Sequence, residues 1–443
     1  MDILLVNPAD ANPDNPTEHL GLACLHSFIT QVGFQAGIID MALDQLSTAQ
    51  TVCLINEQKP AMVGITILHD TRFKGLELIE KLRQSGYNGK VVVGGYFSSF
   101  ASKEILRDFA QIDFVVRGEG EHTLAELMAW VLKKQGRLED IPGLSYRVGG
   151  NIYENPARPL IENLDDLPFP TRAYAQKILD QGGHLRIYAT RGCWAHCSFC
   201  DIVNLYSLGK GKAWRRRSAD HLLDEIEYLS KTYQTNYFIF NDDQFLVKGS
   251  KAMEYVEAFA AGLEKRHLQI KFELMARADT IQKKVLARLK EAGLQRVFLG
   301  LESFDQKQLQ RFNKRISVRQ NIKAVITLYR LKIDVLASVI LADAYTGLWD
   351  LLQQFMLLFQ LRRKYFNSRK CQISINKKMD VYRGTAVYTH YKQAGILTRD
   401  DYLQGYSYRL KLLTRWRLGL YDLEERLNRL ILRPEWTAQK VQV

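Results

Sequence analysis

The chain has 443 residues, of which 47% are hydrophobic and 25% are charged, and its formal net charge is +13. This length is too great for one ordinary core and predicts two or three domains, while the composition is that of a soluble globular protein. Residues 1–10 carry an acid at position 2 and an early Asn-Pro pair, so we expect no signal peptide. The most apolar later stretch, residues 351–361, is too short for a membrane span, which needs about 20 residues. We predict a buried helix there.

The surplus of basic residues allows two interpretations. A basic protein can attract nucleic acid or a membrane surface, or its charge can serve solubility and the binding of anionic small molecules. Basic clusters occur at residues 215–217 and 362–364, but no recognised nucleic-acid-binding motif surrounds either cluster. We therefore expect a small-molecule substrate, no nucleic-acid partner and no membrane span.

Residues 1–140 alternate short apolar runs with helix-like segments, which predicts a doubly wound parallel sheet of the α/β class. The runs are residues 3–6, 36–39, 62–67, 91–93 and 114–116. Ligands of such sheets bind at the carboxyl ends of the strands. The candidate binding residues at those ends are Asn7, Thr66, Gly94, Gly95 and Glu119. Residues 141–184 are rich in proline, glycine and acidic residues and are predicted to be a linker.

A second alternation begins at residue 185 and predicts a partial (βα)6 barrel that extends to about residue 395. Its candidate strands are residues 185–189, 237–240, 270–273, 296–299, 335–340 and 372–375. Its candidate helices include residues 219–231, 252–265, 281–292 and 319–330. Residues 396–443 are basic, and we expect them to form a helical extension.

Three of the six cysteines, Cys193, Cys197 and Cys200, form a C-x3-C-x2-C loop directly after the first predicted barrel strand. A disulfide-stapled secreted domain distributes its cysteines differently, so the grouping predicts a metal site in a reducing cytoplasm. Each thiolate can ligate one iron of a cubane and leave the fourth iron open, and Gly192 permits the tight backbone path. Structural zinc is the main alternative, but it usually takes four protein ligands, and His196 is awkwardly placed as the fourth.

This loop, with Arg191 and Gly192 before it and Phe199 before the last cysteine, resembles the signature of the radical S-adenosylmethionine (SAM) superfamily. The resemblance implies a [4Fe–4S] cluster whose open iron binds SAM, and reductive cleavage of SAM to a 5′-deoxyadenosyl radical. It also implies an external electron donor of the flavodoxin or ferredoxin type. The implied SAM contacts are Phe199, Asp242, Arg277 and Glu302, although a charge at a strand end can equally cap a helix or form a salt bridge.

Residues 1–140 resemble the cobalamin-binding domains that are fused to many radical SAM enzymes. The resemblance rests on Asn7 and Pro8, the helix start at residues 20–22, Gly94 and Gly95, and residues 118–121. It implies that cobalamin binds at the five strand-end candidates. The D-x-H-x-x-G loop that supplies an axial histidine is absent, so we expect no histidine ligand. His19 is predicted to lie in a solvated loop, and His69 to have a loop or capping role.

Together the two resemblances imply a class B radical SAM methylase, which methylates an unactivated carbon of a small-molecule or natural-product intermediate. A cobalamin-dependent enzyme that cyclises or rearranges its substrate without methylating it is left open. A tRNA-modifying methylthiotransferase would carry a second cysteine triad, which Cys24 and Cys53 do not supply. A non-enzymatic module with a structural metal is the remaining alternative. Residues 340–347 lack the Gly- and Pro-containing pattern frequent at the fifth barrel strand, and no residue is assigned to the chemical step itself.

Overall fold

A computed structural model of the chain describes residues 1–10, 16–366, 371–411 and 419. It consists of two compact units. The first comprises Met1–Trp194 and Asp201–Ile239, and the second comprises Ala195–Cys200 and Phe240–Val443. The cysteine loop is therefore divided, with Cys193 in the first unit and Cys197 and Cys200 in the second. Over the described ranges, no helix combines the length and the apolar character that a bilayer crossing requires.

A mixed sheet forms the centre of the first unit. Its strands, as described, are β1 (Ile3–Asn7), β2 (Ala36–Asp40), β3 (Met62–Thr66), β4 (Lys90–Gly94), β5 (Phe114–Val116), β6 (Leu144–Val148) and β7 (Asn151–Glu154). Their order is β2-β1-β3-β4-β5-β6-β7, with parallel pairing from β2 to β5 and antiparallel pairing from β5 to β7. These parallel pairings confirm the predicted parallel sheet. Its strands could be predicted because strands that are buried on both faces appear in the sequence as continuous apolar runs.

Helices connect the parallel strands and cover the sheet. They are α1 (Leu20–Gln31), α2 (Thr48–Gln58), α3 (Arg72–Gln84), α4 (Tyr96–Phe100), α5 (Ser102–Asp108) and α6 (Glu121–Lys133). The core of this layer includes Ile3 of β1, Val92 of β4, Ile29 of α1 and Leu127 of α6, all at most 3% exposed. Because these helices connect parallel strands, the loops at the carboxyl ends of the strands lie along one edge of the sheet.

The segment predicted as a linker, residues 141–184, contains ordered sheet structure. Strands β6 and β7 form an antiparallel hairpin that extends the sheet, so the linker prediction is wrong for residues 144–154. Gly149 and Gly150 form its two-residue turn, and both have positive φ angles, of 57° and 83°. A tight hairpin turn of this kind selects glycine because the backbone is left-handed at both positions.

The rest of the first unit contains short strands and three further helices. The strands are β8 (Leu185–Ile187), β9 (Thr190–Arg191), β10 (Arg215–Arg216) and β11 (Tyr237–Phe240), and the helices are α7 (Ala175–Asp180), α8 (Ile202–Tyr206) and α9 (Ala219–Tyr233). Strands β9 and β10 pair antiparallel and place Arg191 opposite Arg215. Both residues of β9, the strand that directly precedes the cysteine loop, are thereby paired.

Buried ion pairs join the early and late parts of the first unit. Arg172 donates to carboxylate oxygens of Glu18 and Glu225, and Arg217 donates to Glu225 and, over 2.9 Å, to the carbonyl of Tyr188. The side chains of Arg172 and Glu225 are only 3% and 0% exposed. Burial raises the pKa of Glu18 more than the neighbouring Arg172 lowers it. These carboxylates therefore depend on their arginine partners.

The second unit contains four further parallel strands in sequential order, β12 (Lys271–Arg277), β13 (Leu294–Glu302), β14 (Asp334–Ala342) and β15 (Cys371–Lys378). Its helices, within the described residues, are α10 (Ser250–Lys265), α11 (Lys283–Glu291), α12 (Gln306–Arg311), α13 (Val318–Arg330), α14 (Leu348–Tyr365) and α15 (Ala386–Gln393). Helix α13 begins with a capping box between Ser317 and Gln320. The predicted strand–helix alternation is therefore present in this part of the chain.

Helix α14 contains the apolar stretch that was predicted to be a buried helix. The helix is present, but the prediction of burial is wrong for one of its faces. Met356 is 61% exposed and Phe359 is 69% exposed, whereas Leu351, Leu358 and Leu361 are buried. An uninterrupted apolar run has no helical periodicity, so the sequence pattern cannot show which face points outwards.

The predicted helical extension, residues 396–443, begins differently. Strands β16 (Leu397–Asp401) and β17 (Gly405–Tyr408) form an antiparallel hairpin, so the helix prediction is wrong for these residues. The ring of Tyr406 lies 4.6 Å from that of Tyr388, and the ring of Tyr408 lies 5.1 Å from that of Tyr391. Alternating aromatic residues that pack on one face favour a strand over a helix. Residues 412–418 and 420–443 of this prediction lie outside the described residues.

We predict that Arg172→Met destabilises the protein by about 3–5 kcal/mol, because it leaves the buried carboxylate of Glu18 without its cation. The measurement is the urea dependence of unfolding for wild type and variant. Arg137→Met is the matched control, since Arg137 is 71% exposed and its pairing with Glu139 should contribute less than about 1 kcal/mol. Equal midpoints for the two variants would contradict the assigned role of the buried pairs.

Candidate functional site

The start of the cysteine loop is held by buried salt bridges within the first unit. Arg191 Nη1 lies 3.1 Å from Glu119 Oε1, and Arg191 Nη2 lies 2.6 Å from Glu121 Oε1. The second oxygen of Glu119 accepts from Arg215 Nη1 over 2.8 Å. All four side chains are at most 12% exposed. Burial lowers the pKa of Arg191, but the neighbouring groups, with the Glu121 carboxylate first among them, together outweigh burial and raise the pKa well above the usual arginine value.

Glu119 lies in a network of buried hydrogen bonds. The residue is predicted to bind cobalamin, and its two oxygens accept from Arg191, from Arg215 and, over 2.9 Å, from the backbone N–H of Ile161. Its contact with cobalamin stays a prediction, while the three protein donors give it a structural role. Glu119 is therefore a residue that connects the glycine-containing loop after β5, the segment after β7 and the start of the cysteine loop.

Gly192, which follows Arg191, adopts a conformation that only glycine permits at this place. Its φ angle is +77°, and a Cβ atom there would lie 1.9 Å from the carbonyl oxygen of Ala213. The predicted need for glycine at this turn agrees with this geometry. The backbone path into the cysteine loop is therefore set by close contact as well as by charge.

In the second unit, Arg277 lies against the thiol of Cys197. Its Nη1 donates to Cys197 Sγ over 3.1 Å, its Nη2 to the carbonyl of Lys314 over 2.6 Å, and its Nε to Asp279 over 3.0 Å. Arg277 is predicted to contact SAM, and in the structure it also contacts the predicted cluster ligand. Hydrogen bonds to ligating sulfur tune the reduction potential of an iron–sulfur cluster, so Arg277 is placed to influence it.

The segment after α12 holds the backbone of the cysteine loop. Asn313 Nδ2 donates to the carbonyl of His196 over 2.6 Å, and the N–H of Ser198 donates to the carbonyl of Phe312 over 2.9 Å. The Ser198 hydroxyl donates to the carbonyl of Arg311 over 2.8 Å. Residues 196–198 are thus fixed at three points by residues 311–313.

Opposite charges gather at the carboxyl ends of the strands in this unit. Lys314 Nζ lies 2.7 Å from Glu302 Oε1, and Lys314 is only 3% exposed. Glu302 has a φ angle of +63° at a bulge that ends β13, and Asp242, just after β11, is 2% exposed. The α-amino and carboxylate groups of SAM need an anionic and a cationic partner. Glu302 and Asp242 with Arg277 and Lys314 have the charges to fit them.

Phe199 contributes its ring to packing. The ring lies 5.0 Å from that of Phe312, within an apolar cluster that includes Ile340 and Met379. Phe199 is predicted to contact the cofactor because of its position before Cys200. The ring is only partly buried by these neighbours, so its contact with the cofactor stays a prediction.

The three cysteines of the loop are partly buried. Within the ranges that the structure describes, no group of three or more His, Cys, Asp or Glu side chains stands ready to hold a metal ion. Ligation by Cys193, Cys197 and Cys200 therefore stays a prediction. The chemistry of the donors supports it, because three thiolates in one loop match what a cubane with an open iron requires.

In the first unit, the remaining candidates lie at the carboxyl edge of the sheet. Asn7 ends β1 and donates to Asp40 over 2.9 Å, while Thr66 ends β3 and lies 3.4 Å from the ring of His19. Gly95, with φ +100°, passes so close to the carbonyl of Ile67 that a Cβ atom would lie 2.8 Å from it. These candidates are thus held by neighbouring protein groups, and their contacts with cobalamin stay a prediction.

More open backbone at this edge is provided by the glycines Gly94 and Gly118. A Cβ atom on Gly118 would meet no heavy atom within 4 Å, and one on Gly94 would come no closer than 3.6 Å to its neighbours. A bulky cofactor can approach such backbone closely. The backbone at Gly94 and Gly118 therefore leaves more room for cobalamin than the positions of Asn7 and Thr66, whose side chains contact other protein groups.

His19 is a helix cap and not a residue of a solvated loop, so that prediction is wrong. Its Nδ1 accepts from the N–H of Leu22 over 3.1 Å, and its Nε2 faces the Thr66 hydroxyl. Burial lowers the pKa of His19 to about 4, so the ring is neutral at pH 7. His69 does lie in a loop, where its Nε2 is 3.5 Å from a carboxylate oxygen of Asp201.

A cavity of about 390 Å³ lies within the second unit, beyond the carboxyl ends of β14 and β15. Its lining includes Phe312, Met379 and Tyr391, together with a bidentate ion pair between Arg311 and Asp343. Asp343 belongs to the segment 340–347 that departs from the usual family pattern. The volume is within the range of about 300–1,000 Å³ that is typical of small-molecule sites.

Two known families match this chain. Residues 7–128 match the B12 binding domain, and residues 187–348 match the Radical SAM superfamily. An uncharacterized methyltransferase of Pyrococcus horikoshii is 31% identical over 325 residues, which are 73% of this chain and 69% of the relative. The chain belongs to the cobalamin-binding radical SAM proteins. Its cofactors are accordingly cobalamin, SAM and a [4Fe–4S] cluster.

Two further similarities concern longer proteins. The anaerobic magnesium-protoporphyrin IX monomethyl ester cyclase of Rubrivivax gelatinosus is 28% identical over 299 residues, 65% of this chain and 52% of the cyclase. The structure of the cobalamin-dependent SAM radical enzyme OxsB with aqua-cobalamin bound superposes with a TM-score of 0.80 and 21% identity, over 97% of this chain and 67% of OxsB. The fold is therefore shared with OxsB, and this chain spans about half the length of the cyclase.

Several residues of the site have no clear signal in the sequence. Lys314, Asn313 and Arg311 lie in a basic segment without a recognised motif, and only the structure brings them to the cysteine loop. Glu121 and Arg191 each belong to a recognised motif, but nothing in the sequence indicates that they pair with each other. Long-range charge pairs have no local pattern, so spacing along the chain cannot reveal them.

We predict that Cys197→Ala removes the cluster from the anaerobically reconstituted protein, because one of its three thiolate ligands is lost. Wild type should contain about four iron and four sulfide ions per chain, measured chemically and by visible absorption. The matched control is Cys371→Ala, which should retain both, since Cys371 lies in β15 outside the loop. About one zinc per chain and no sulfide in wild type would instead establish a structural metal site.

We also predict a pH-dependent contribution of His19 to stability. Its pKa is about 4 in the folded protein and about 6.5 when unfolded, so the unfolded state binds the extra proton between these values. The stability that comes from the neutral ring is present above pH 6.5 and is lost as the pH falls towards 4, by up to about 3 kcal/mol. His19→Asn keeps a capping oxygen and cannot titrate, so its unfolding free energy should fall less steeply over this range. Parallel pH curves for the two proteins would contradict this.

Proposed function

We propose that this enzyme is a cobalamin-dependent radical SAM methylase that transfers a methyl group to an unactivated carbon of a small molecule. The observation that carries the proposal is the presence of a B12 binding domain and a radical SAM domain in one chain. The similarity to the methyltransferase of Pyrococcus horikoshii supports methyl transfer as the reaction type. When bound, SAM and the reduced cluster supply a carbon-centred radical, and cobalamin supplies the methyl group.

The residues of the chain bind and orient these groups. Arg277 and Lys314 are buried cations for the carboxylate of SAM, and Glu302 and Asp242 are anions for its amino group. Arg277 also donates to Cys197 Sγ, which stabilises the electron-rich state of the thiolate. A flavodoxin or ferredoxin type of protein would deliver the electron.

The cavity beside β14 and β15 is the place we propose for the substrate. Its apolar wall, which includes Phe312, Met379 and Val387, excludes water from a reactive carbon, and the Arg311–Asp343 pair offers a polar contact. Ser198 of the cysteine loop also lines it. A site of this volume fits a small molecule and is too small for a folded nucleic acid.

A second candidate is a cobalamin-dependent radical enzyme that forms a ring without methyl transfer. The similarity to the magnesium-protoporphyrin ester cyclase favours it. The two candidates differ in product mass, because methylation adds one CH₂ unit and ring formation does not. Both require the same cofactors, so cofactor content alone cannot distinguish them.

The experiment is an anaerobic assay with SAM labelled on its methyl group, a chemical or flavodoxin reductant and a panel of small-molecule substrates. We expect 5′-deoxyadenosine and a labelled product in wild type, and neither in Cys197→Ala. Release of 5′-deoxyadenosine with an unlabelled, rearranged product would support the cyclase. Label transfer without any 5′-deoxyadenosine would contradict radical activation of the substrate.

A further inference from the structure

Helix α14 carries an unusual concentration of exposed apolar side chains. Trp349, Phe359 and Met356 are 77%, 69% and 61% exposed, and no other large apolar residue of the described chain exceeds 53%. All three therefore stand out from the rest of the described surface, and all three lie on one helix. Single exposed apolar residues are common on proteins, but a group of the largest ones marks an interaction surface.

The three side chains form one stripe along the helix. Met356 follows Trp349 by seven residues and Phe359 follows Met356 by three, which places them on the same side. The opposite side packs into the unit through Leu351 and Leu358, which are at most 5% exposed. The helix is thus fixed in place, and its outward stripe is a permanent surface.

Gln354 secures the inner side further. Its buried amide donates to the carbonyl of Leu341 over 3.0 Å and accepts from the hydroxyl of Ser303 over 3.0 Å. A helix anchored in this way cannot rotate to bury its outward stripe.

The charged side chains in the last turn of α14 are all basic. Arg362, Arg363 and Lys364, in the last turn of α14, are all exposed. The only acid of the helix is Asp350 in its first turn, which accepts from the N–H of Gly347. The end of α14 therefore presents three cations that no acidic residue of the same helix neutralises.

The neighbouring helix α13 extends the same surface. Its Tyr329 is 49% exposed and contacts Tyr365 of α14, with the ring centroids 5.2 Å apart. Arg330 and Lys332 follow directly and are exposed. The surface formed by the outward side of α14 and the end of α13 thus combines aromatic and apolar side chains with five basic groups.

We propose that this surface binds the anionic face of a lipid bilayer, as a peripheral contact that does not span the membrane. Large apolar and aromatic side chains on one side of a helix, beside basic residues, are the features of interfacial membrane-binding helices. The net charge of +13 adds a long-range attraction for an anionic surface. The bilayer would take up Trp349, Met356 and Phe359, while the arginines and lysines meet lipid phosphates. This proposal does not depend on the reaction that the enzyme catalyses.

A second copy of the chain fits this surface less well. Two such surfaces brought face to face would place the basic ends of α14 and α13 within one interface without acidic partners of their own. A stripe of three side chains is also small beside the roughly 800 Å² per partner that a stable protein interface buries.

The test is co-sedimentation of the anaerobically purified full chain with vesicles of phosphatidylcholine alone, or of phosphatidylcholine mixed with phosphatidylglycerol. We expect binding to the mixed vesicles that weakens as salt is raised, and little binding to neutral ones. The double variant Trp349→Ser with Phe359→Ser should bind at least about tenfold more weakly. Arg362→Gln with Arg363→Gln should lose roughly fivefold per charge.

Matched controls distinguish binding through this surface from nonspecific binding to the vesicles. Tyr228→Ser removes an aromatic ring that is 48% exposed on α9, and Lys283→Gln with Lys284→Gln removes two exposed charges from α11. Both controls should bind like wild type, and all variants should keep the wild-type thermal midpoint, because the altered side chains are exposed.

Two outcomes would overturn the proposal. One is equal vesicle binding by the α14 variants and the controls. The other is self-association of wild type, seen by light scattering in the absence of lipid, that the Trp349→Ser and Phe359→Ser changes abolish. That second result would assign the surface to a second copy of the chain.

Discussion

Buried pairs between guanidinium and carboxylate groups are the constraint on which the first unit depends. Arg191 with Glu119 and Glu121, and Arg172 with Glu18 and Glu225, are almost completely removed from solvent. Removing one member of such a pair leaves a charge that the interior cannot solvate, so the pairs specify which segments must meet. They join the loop after β5, the start of α1 and helix α9, which are far apart in sequence, and they determine where the cysteine loop begins.

The part of the loop that belongs to the second unit is held by a different kind of contact. Asn313 and the backbone of Phe312 fix residues 196–198 through neutral hydrogen bonds, and Arg277 reaches the thiol of Cys197. The loop thus has a rigid, charge-held start and a hydrogen-bonded middle. An arrangement of this kind suits a metal ligand set, because ligands that are positioned before the metal binds need little reorganisation.

The sequence predicted the strands and most helices well because burial leaves a direct pattern. A parallel strand covered on both faces reads as an apolar run, and an amphipathic helix such as α13 shows its period. The cysteine loop can be recognised because its three cysteines lie close together in the sequence. The hairpin of β6 and β7 is not evident from the sequence because glycine pairs occur in linkers as well as in tight turns. The exposed side of α14 is not evident because a uniformly apolar segment has no period. Charge pairs such as Lys314 with Glu302 form only when the chain folds, so the spacing of residues along the sequence does not indicate them.

The two basic clusters of the sequence show how far composition can mislead. Both residues 215–217 and residues 362–364 read as runs of positive charge. In the first cluster Arg215 and Arg217 are buried and paired with Glu119 and Glu225, so they serve internal structure. The second cluster is exposed at the end of α14. Only the folded environment separates a structural arginine from one that is available to a partner.

The ion pairs of the first unit also limit how the chain can be divided. A fragment that ended near residue 140 would separate Glu18, Glu119 and Glu121 from all of their arginines. It would also uncover the contact of Leu20 and Cys24 with Tyr188. The B12 binding region therefore cannot be transferred to another protein by itself. A graft would need the rest of the first unit, which ends at Ile239.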